Sequence, residues 1–182
     1  GKTTITHHVE RELCGVFSVS VTTRPQTHKD TQGKDYDFVD RTEFERRQRA
    51  GELLEWAEVF GHCYGTPRLP VEQAIFEGHL VILEIDVEGA VLVKQQILDA
   101  FALFVLPPSE QVLLHRLRHR QRESEEIIQR RFAKAKLEIE RAHTSGVYDV
   151  FVVNDQLEQA SAEAVELVRQ ERAARGQGAR TS

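Results

Sequence analysis

An α/β fold with a parallel central sheet and a smaller lobe inserted early in the chain is what the sequence predicts, on three observations. Nearly continuous apolar runs, "LVILEID" (80–86), "FALFVLPP" (101–108) and "YDVFVV" (148–153), mark strands buried on both faces. Helical stretches alternate with these runs, the arrangement that builds a parallel sheet. Between residues 16 and 66, half-polar alternation and short turns mark a mixed or antiparallel patch instead.

Taken in order, "VFSVSVTT" (16–23) alternates as one strand, "RPQTHKDTQGKD" (24–35) is a polar loop and "YDFV" (36–39) a short strand. Asp40 and Glu43 form a capping-box pattern that opens a helix ending at Gly51. "LLEWAEVF" (53–60) is a strand, and "GHCYGT" (61–66), with two glycines, a turn. A helix from about Arg68 to Glu77 carries Pro70 in its first turn and Gly78 past its end. Helices are predicted over 88–98, from Ser109 as a cap, over 124–143 and over 157–173, and residues 174–182 as a frayed tail.

The 182 residues suit one domain, and the even balance of 40% hydrophobic and 29% charged residues is that of a soluble globular chain. A net charge of −5 argues against nucleic acid as a partner, and no apolar run reaches membrane-spanning length. Cys14 and Cys63 have neither metal nor redox spacing, which suits packing roles in a cytoplasmic protein. With no methionine anywhere, the chain reads as a segment that starts inside a gene product. Its first residues, "GKTT" (1–4), are either the tail of a phosphate-binding loop or four common residues in a row.

Six pieces in order carry a resemblance that covers nearly the whole chain. They are "FSVSVTTR" (17–24), "GKDYDFV" (33–39), "GELLEWAEVFGHCYGT" (51–66), "LEIDVEGA" (83–90), "FVLPPS" (104–109) and "VVND" (152–155). Together they resemble the guanylate kinase family. The resemblance implies a P-loop NTPase three-layer fold, with 16–66 mostly a GMP-binding lobe and about 115–131 a helical lid, and transfer of the γ-phosphate of ATP, with Mg²⁺, to GMP or dGMP. It also implies that "GKTT" is a P-loop tail, so that this segment by itself is expected to be inactive and poorly stable.

Site residues follow position by position. In the loop, Gly1, Lys2, Thr3 and Thr4 would hold the ATP phosphates, Lys2 as a point charge and the Thr3 hydroxyl on Mg²⁺. Glu55 matches the family's guanine-binding glutamate: a carboxylate accepts from guanine N1–H and the 2-amino group side by side, a pair that adenine lacks. Ser20 and Thr66 match hydroxyls at the guanine edge, although turn hydroxyls are common. Arg24, Tyr36 and Tyr64 match the acceptor-phosphate set. Glu84 and Asp86, two apart at a strand end and so on one face, match acids around the nucleotide and the Mg²⁺ shell, Asp86 acting through water. Lys2, Arg120 and Arg131 match the groups that neutralise the transferring phosphoryl, and Arg116 matches an ATP-side arginine, balanced against a plain surface role.

Some positions depart from the family pattern. Thr27 stands where a second phosphate-binding arginine is usual, so that either Lys29 substitutes or GMP binds more weakly; Glu88 stands for a glutamine. Two other readings remain: a kinase-dead guanylate-kinase-like module that binds proteins, and a related P-loop kinase with another phosphorylated acceptor. Retention of Lys2, Arg120, Arg131 and Glu55 weighs against both.

Overall fold

The computed structural model describes residues 1–119 and 124–178, grouped into two compact units. One is Glu10–Leu98; the other is Gly1–Val9 with the described residues from Asp99 onward.

The chain starts with α1 (Lys2–Leu13), and in the Glu10–Leu98 unit a turn through Cys14, at φ 50°, leads into β1 (Val16–Phe17). The single strand predicted over 16–23 is two: β1, and β2 (Val21–Thr22), which joins a different sheet. The alternation persists through 18–20 with no Gly or Pro to punctuate it, so the switch leaves no mark in the sequence.

Four strands form the lobe sheet: β3 (Asp37–Phe38), β2, β5 (His62–Pro67) and β4 (Leu53–Val59), in that spatial order. The β2–β3 pair is parallel; the β2–β5 and β4–β5 pairs are antiparallel. Residues 61–66, predicted as a turn, are mostly strand: only Phe60 and Gly61 turn, at φ 51° and 80°, and β5 begins at His62. Its second glycine serves packing instead, since a Cβ on Gly65 would lie 3.0 Å from Leu53 Cδ1 and 3.3 Å from Phe44 Cζ.

Phe44 comes from α2 (Arg41–Arg49), and with Val21, Leu53 and Cys63 it makes a buried cluster lined by Val39. Asp40 caps this helix by accepting from the Glu43 N–H at 2.8 Å. The other half of the predicted capping box does not form, because the Glu43 carboxylate turns to Arg46 and Arg47. On β4, Trp56 stands opposite Gly65 and is 41% exposed.

α3 (Arg68–Phe76) leads to β6 (Val81–Ile82), which pairs with β1 in parallel, and α4 (Val87–Gln96) follows. The strand predicted over 80–86 therefore stops at Ile82, where its partner ends at Phe17. Glu84 and Asp86 lie beyond it, between strand and helix.

In the other unit, β7 (Leu103–Leu106) and β8 (Val150–Val153) pair in parallel along their whole length. α5 (Glu110–His119) begins with the Val112 N–H on Ser109 Oγ at 3.2 Å, and α6 (Glu125–Ser145) is capped by Ser124. Phe104, Tyr148 and Phe151 meet edge-on or tilted, and His143 stacks on Phe151 with ring centres 4.5 Å apart. α7 (Leu157–Gly178) packs on β8 and buries Ala160, Ala164 and Val165. Helix replaces the predicted fraying over 174–178, where Arg175 pairs with Glu171 one turn back and with the carbonyl and carboxylate of Asp99. Residues 179–182 are outside those described.

The three strands predicted to be buried on both faces are mostly half-buried; Val152 alone among them is fully buried and Val153 is 49% exposed. The parallel β1–β6 and β7–β8 pairs each form a two-stranded sheet among the described residues.

Candidate active site

β4 and β5 build the centre of the Glu10–Leu98 site. Their register sets Glu55 opposite Thr66 and Ala57 opposite Tyr64. Residues two apart on a strand share a face, so Tyr64 and Thr66 point the same way. Glu55 is 6% exposed and Thr66 1%, and the Thr66 hydroxyl donates to Glu55 Oε1 at 2.5 Å. Burial pushes the Glu55 carboxyl above the usual glutamate range; the Thr66 hydrogen bond opposes this, and the nearby Asp86 charge adds to it.

The second carboxylate oxygen lies over the first turn of α4. A Cβ on Gly89 would fall 2.8 Å from Glu55 Oε2, so this close approach requires a residue without a side chain. Asp86 is the N-cap of that helix, its Oδ1 accepting from Gly89 N–H at 2.9 Å. Glu88 sits in the same first turn, where a negative charge suits the helix dipole.

Beside this carboxylate lies an aromatic and cationic group. The Tyr36 and Tyr64 rings meet edge to face with centroids 5.8 Å apart, and the Arg24 guanidinium lies 5.3 Å from the Tyr36 and Phe38 ring centres. Burial raises the Tyr36 phenol above its usual range, with Tyr64 and Glu84 adding to the shift. Arg24 makes a two-pronged ion pair with Asp30, which also accepts from the backbone N–H and hydroxyl of Thr27. Arg24 holds Asp30 well below the usual carboxylate range, and the two Thr27 hydrogen bonds lower it further. Thr27 therefore anchors Asp30, and neighbouring Lys29 is exposed. Ser20 is half-buried, and its carbonyl accepts from Asp37 N–H at 2.9 Å.

In the other unit, Lys2 and Thr3 open α1 with exposed side chains, and Thr4 follows them. The first N–H groups of any helix lack intrahelical acceptors and point toward anions. A Cβ on Gly1 would fall 2.0 Å from Asn154 Nδ2, so the start of the chain lies against the turn after β8. Arg116 braces the same turn, donating to the carbonyls of Asn154 at 2.7 Å and Asp155 at 3.0 Å. Arg131 is half-buried on α6; Arg120 lies outside the described residues.

The structure thus brings together Arg24, Tyr36, Tyr64, Glu55, Thr66, Glu84 and Asp86 in one unit, and Gly1 and Arg116 around Asn154 in the other. Sequence reasoning missed Asp30, Gly89 and Asn154. Gly89 had a signal, a glycine within a helical pattern, which commonly has a packing reason. Asp30 had none, since nothing in a polar loop says which acid meets which arginine.

A crystal structure of guanylate kinase from Anaplasma phagocytophilum matches this fold with a TM-score of 0.73 at 34% identity, covering 92% of this chain and 81% of that one. The fold is the α/β fold of the P-loop NTPases. A family model described as guanylate kinase matches residues 2–171. Proteins named guanylate kinase from Myxococcus xanthus and Thermosynechococcus vestitus are 45% and 50% identical. The first match covers 96% of this chain and 83% of the relative, the second 79% and 74%. The chain belongs to the guanylate kinase family.

Proposed function

We propose how these residues carry out the reaction of the family. Membership makes this an enzyme that transfers the γ-phosphate of ATP to GMP, giving ADP and GDP. In our reading residues 1–182 belong to a single guanylate-kinase-like domain and the enzyme is cytoplasmic; no helix among those described is long and apolar enough to cross a membrane.

One observation carries the acceptor assignment: a buried glutamate with one oxygen held by a threonine across the sheet. Glu55 accepts the two adjacent donors of guanine, and the Thr66 and Ser20 hydroxyls complete the edge. Adenine would leave the buried carboxylate unpaired, which is costly. Arg24, Tyr36 and Tyr64 bind the acceptor phosphate, and Glu84 and Asp86 line the nucleoside side.

The acceptor oxygen is already an anion at neutral pH, so the protein aligns and neutralises rather than acting as a base. Gly1–Thr4 hold the donor phosphates through Lys2 and the helix start. Arg116, Arg120 and Arg131 act from the lid, Arg116 through the turn it braces. A magnesium ion suits this donor set: it takes few protein oxygens and keeps waters and phosphates. Of the two metal-side residues the resemblance implies, the Thr3 hydroxyl would ligate the ion directly and Asp86 would act only through water; Asp86 Oδ1 accepts from Gly89 N–H. Bound there, the ion neutralises phosphate charge.

A coupled assay of the enzyme with ATP against GMP, AMP, CMP and UMP tests this reading. Only GMP should turn over quickly, and Glu55→Ala should lower kcat/KM for GMP by about a hundredfold or more while ATP binding persists. Unchanged GMP turnover would overturn the assignment of Glu55.

A further inference from the structure

We infer that Asp30 is a positioning residue that presents one edge of the Arg24 guanidinium to the acceptor phosphate; this rests on the reading of Arg24 above. A guanidinium has two edges able to grip an oxyanion: the end pair Nη1 and Nη2, and the side pair Nε and Nη2. Asp30 takes the end pair, with Nη1 on Oδ2 and Nη2 on Oδ1, both at 3.0 Å. The other Nη1 hydrogen goes to the Pro25 carbonyl at 3.1 Å. Among the described residues nothing accepts from Nε–H or from the second Nη2–H, which together form the side edge.

The plane of the fork is fixed as well as its end, because Tyr36 and Phe38 rings both approach the guanidinium carbon. Tyr36 reaches Tyr64, itself on the face that carries Thr66 opposite Glu55. Asp30 is held in turn by the Thr27 N–H and hydroxyl, each at 2.7 Å, so the carboxylate that grips Arg24 is itself fixed within a short loop. A long arginine left loose would lose rotamer freedom on gripping phosphate; one already clamped does not. The carboxylate also repels phosphate, but both members of the pair are part-exposed and that repulsion is screened. Positioning therefore outweighs repulsion, and removing Asp30 weakens GMP binding.

The experiment compares GMP with guanosine, which lacks the phosphate, by calorimetric titration of the enzyme and its variants. Asp30→Asn should raise the GMP dissociation constant about tenfold and leave guanosine within twofold. Thr27→Val should shift it the same way by less, which keeps a test if Asp30→Asn folds poorly. In an Arg24→Ala background, Asp30→Asn should add nothing further. Unchanged or tighter GMP binding by Asp30→Asn overturns the proposal, tighter binding meaning that the carboxylate competes with phosphate. Equal weakening of guanosine overturns it too, because the loop would then be only structural. If Arg24→Ala itself leaves GMP binding unchanged, the reading of Arg24 fails, whatever Asp30 does.

Discussion

Thr66 and Glu55 face each other across β4 and β5, and the threonine hydroxyl donates to the buried carboxylate at 2.5 Å. That bond fixes one oxygen of a group whose other oxygen is hemmed in by Gly89. Thr66→Val keeps the shape and removes the donor. A buried carboxylate left short of a partner costs about 1–3 kcal/mol. KM for GMP should therefore rise about tenfold or more in steady-state kinetics. Thr66→Ser should keep most of the affinity.

The raised Glu55 carboxyl gives two pH dependences of opposite sign. In the proposed assignment GMP binds to the ionised form, so on the acid side affinity should fall about tenfold per pH unit below the raised value. For the ligand-free protein the folded state holds this proton more tightly than the unfolded chain. The contribution of Glu55 to stability is thus fully present below the ordinary glutamate value and is lost as pH rises through the raised one. Titration calorimetry and thermal melts between about pH 4 and about pH 7 read the two trends, with Glu55→Gln as the flat control.

Gly89→Ala tests the close approach at the start of α4. The added Cβ would lie 2.8 Å from Glu55 Oε2, 3.2 Å from Ile85 Cβ and 3.3 Å from Asp86 Oδ1. Two of these neighbours are the carboxylates of Glu55 and Asp86 and the third belongs to the loop that carries Asp86, so relief comes at the expense of the position proposed for guanine. We expect a loss of about 1–3 kcal/mol in unfolding free energy. GMP affinity should drop more steeply than ATP affinity, as competition binding would measure.

Phe44 is fully buried under the lobe sheet, against Gly65 and Leu53. Phe44→Ala should cost about 3–5 kcal/mol in denaturant unfolding, the usual range for emptying a packed aromatic site. Phe44→Leu should recover much of that.

Much of this was legible in the sequence, for reasons that particular residues show. The capping-box pattern located α2, Pro70 and Gly78 bounded α3 and alternation marked β4, and Asp40, Ser109 and Ser124 capped where capping chemistry predicts. The family resemblance grouped Glu55, Thr66, Tyr36, Tyr64 and Arg24 around one acceptor nucleotide, and the structure holds all five in one unit. What failed depended on partners. The Val16–Thr23 alternation serves two sheets, and only pairing reveals that. Glycine in "GHCYGT" suggested a turn, whereas Gly65 lies in β5 to make room for an aromatic ring. Asp86 reads as a strand-end acid, yet the ladder stops four residues earlier and the residue caps a helix. The Arg24–Asp30 clamp depends on loop conformation, on which composition is silent.

Trp56, opposite Gly65 on β4, is the only tryptophan in the sequence and adjoins the glutamate assigned to guanine. Its indole emission therefore reports from one known place in the Glu10–Leu98 unit, with no second fluorophore of its kind to unmix. Nucleotide titrations can thus be followed optically without a label, and a quench that disappears in Glu55→Ala would trace the signal to the base.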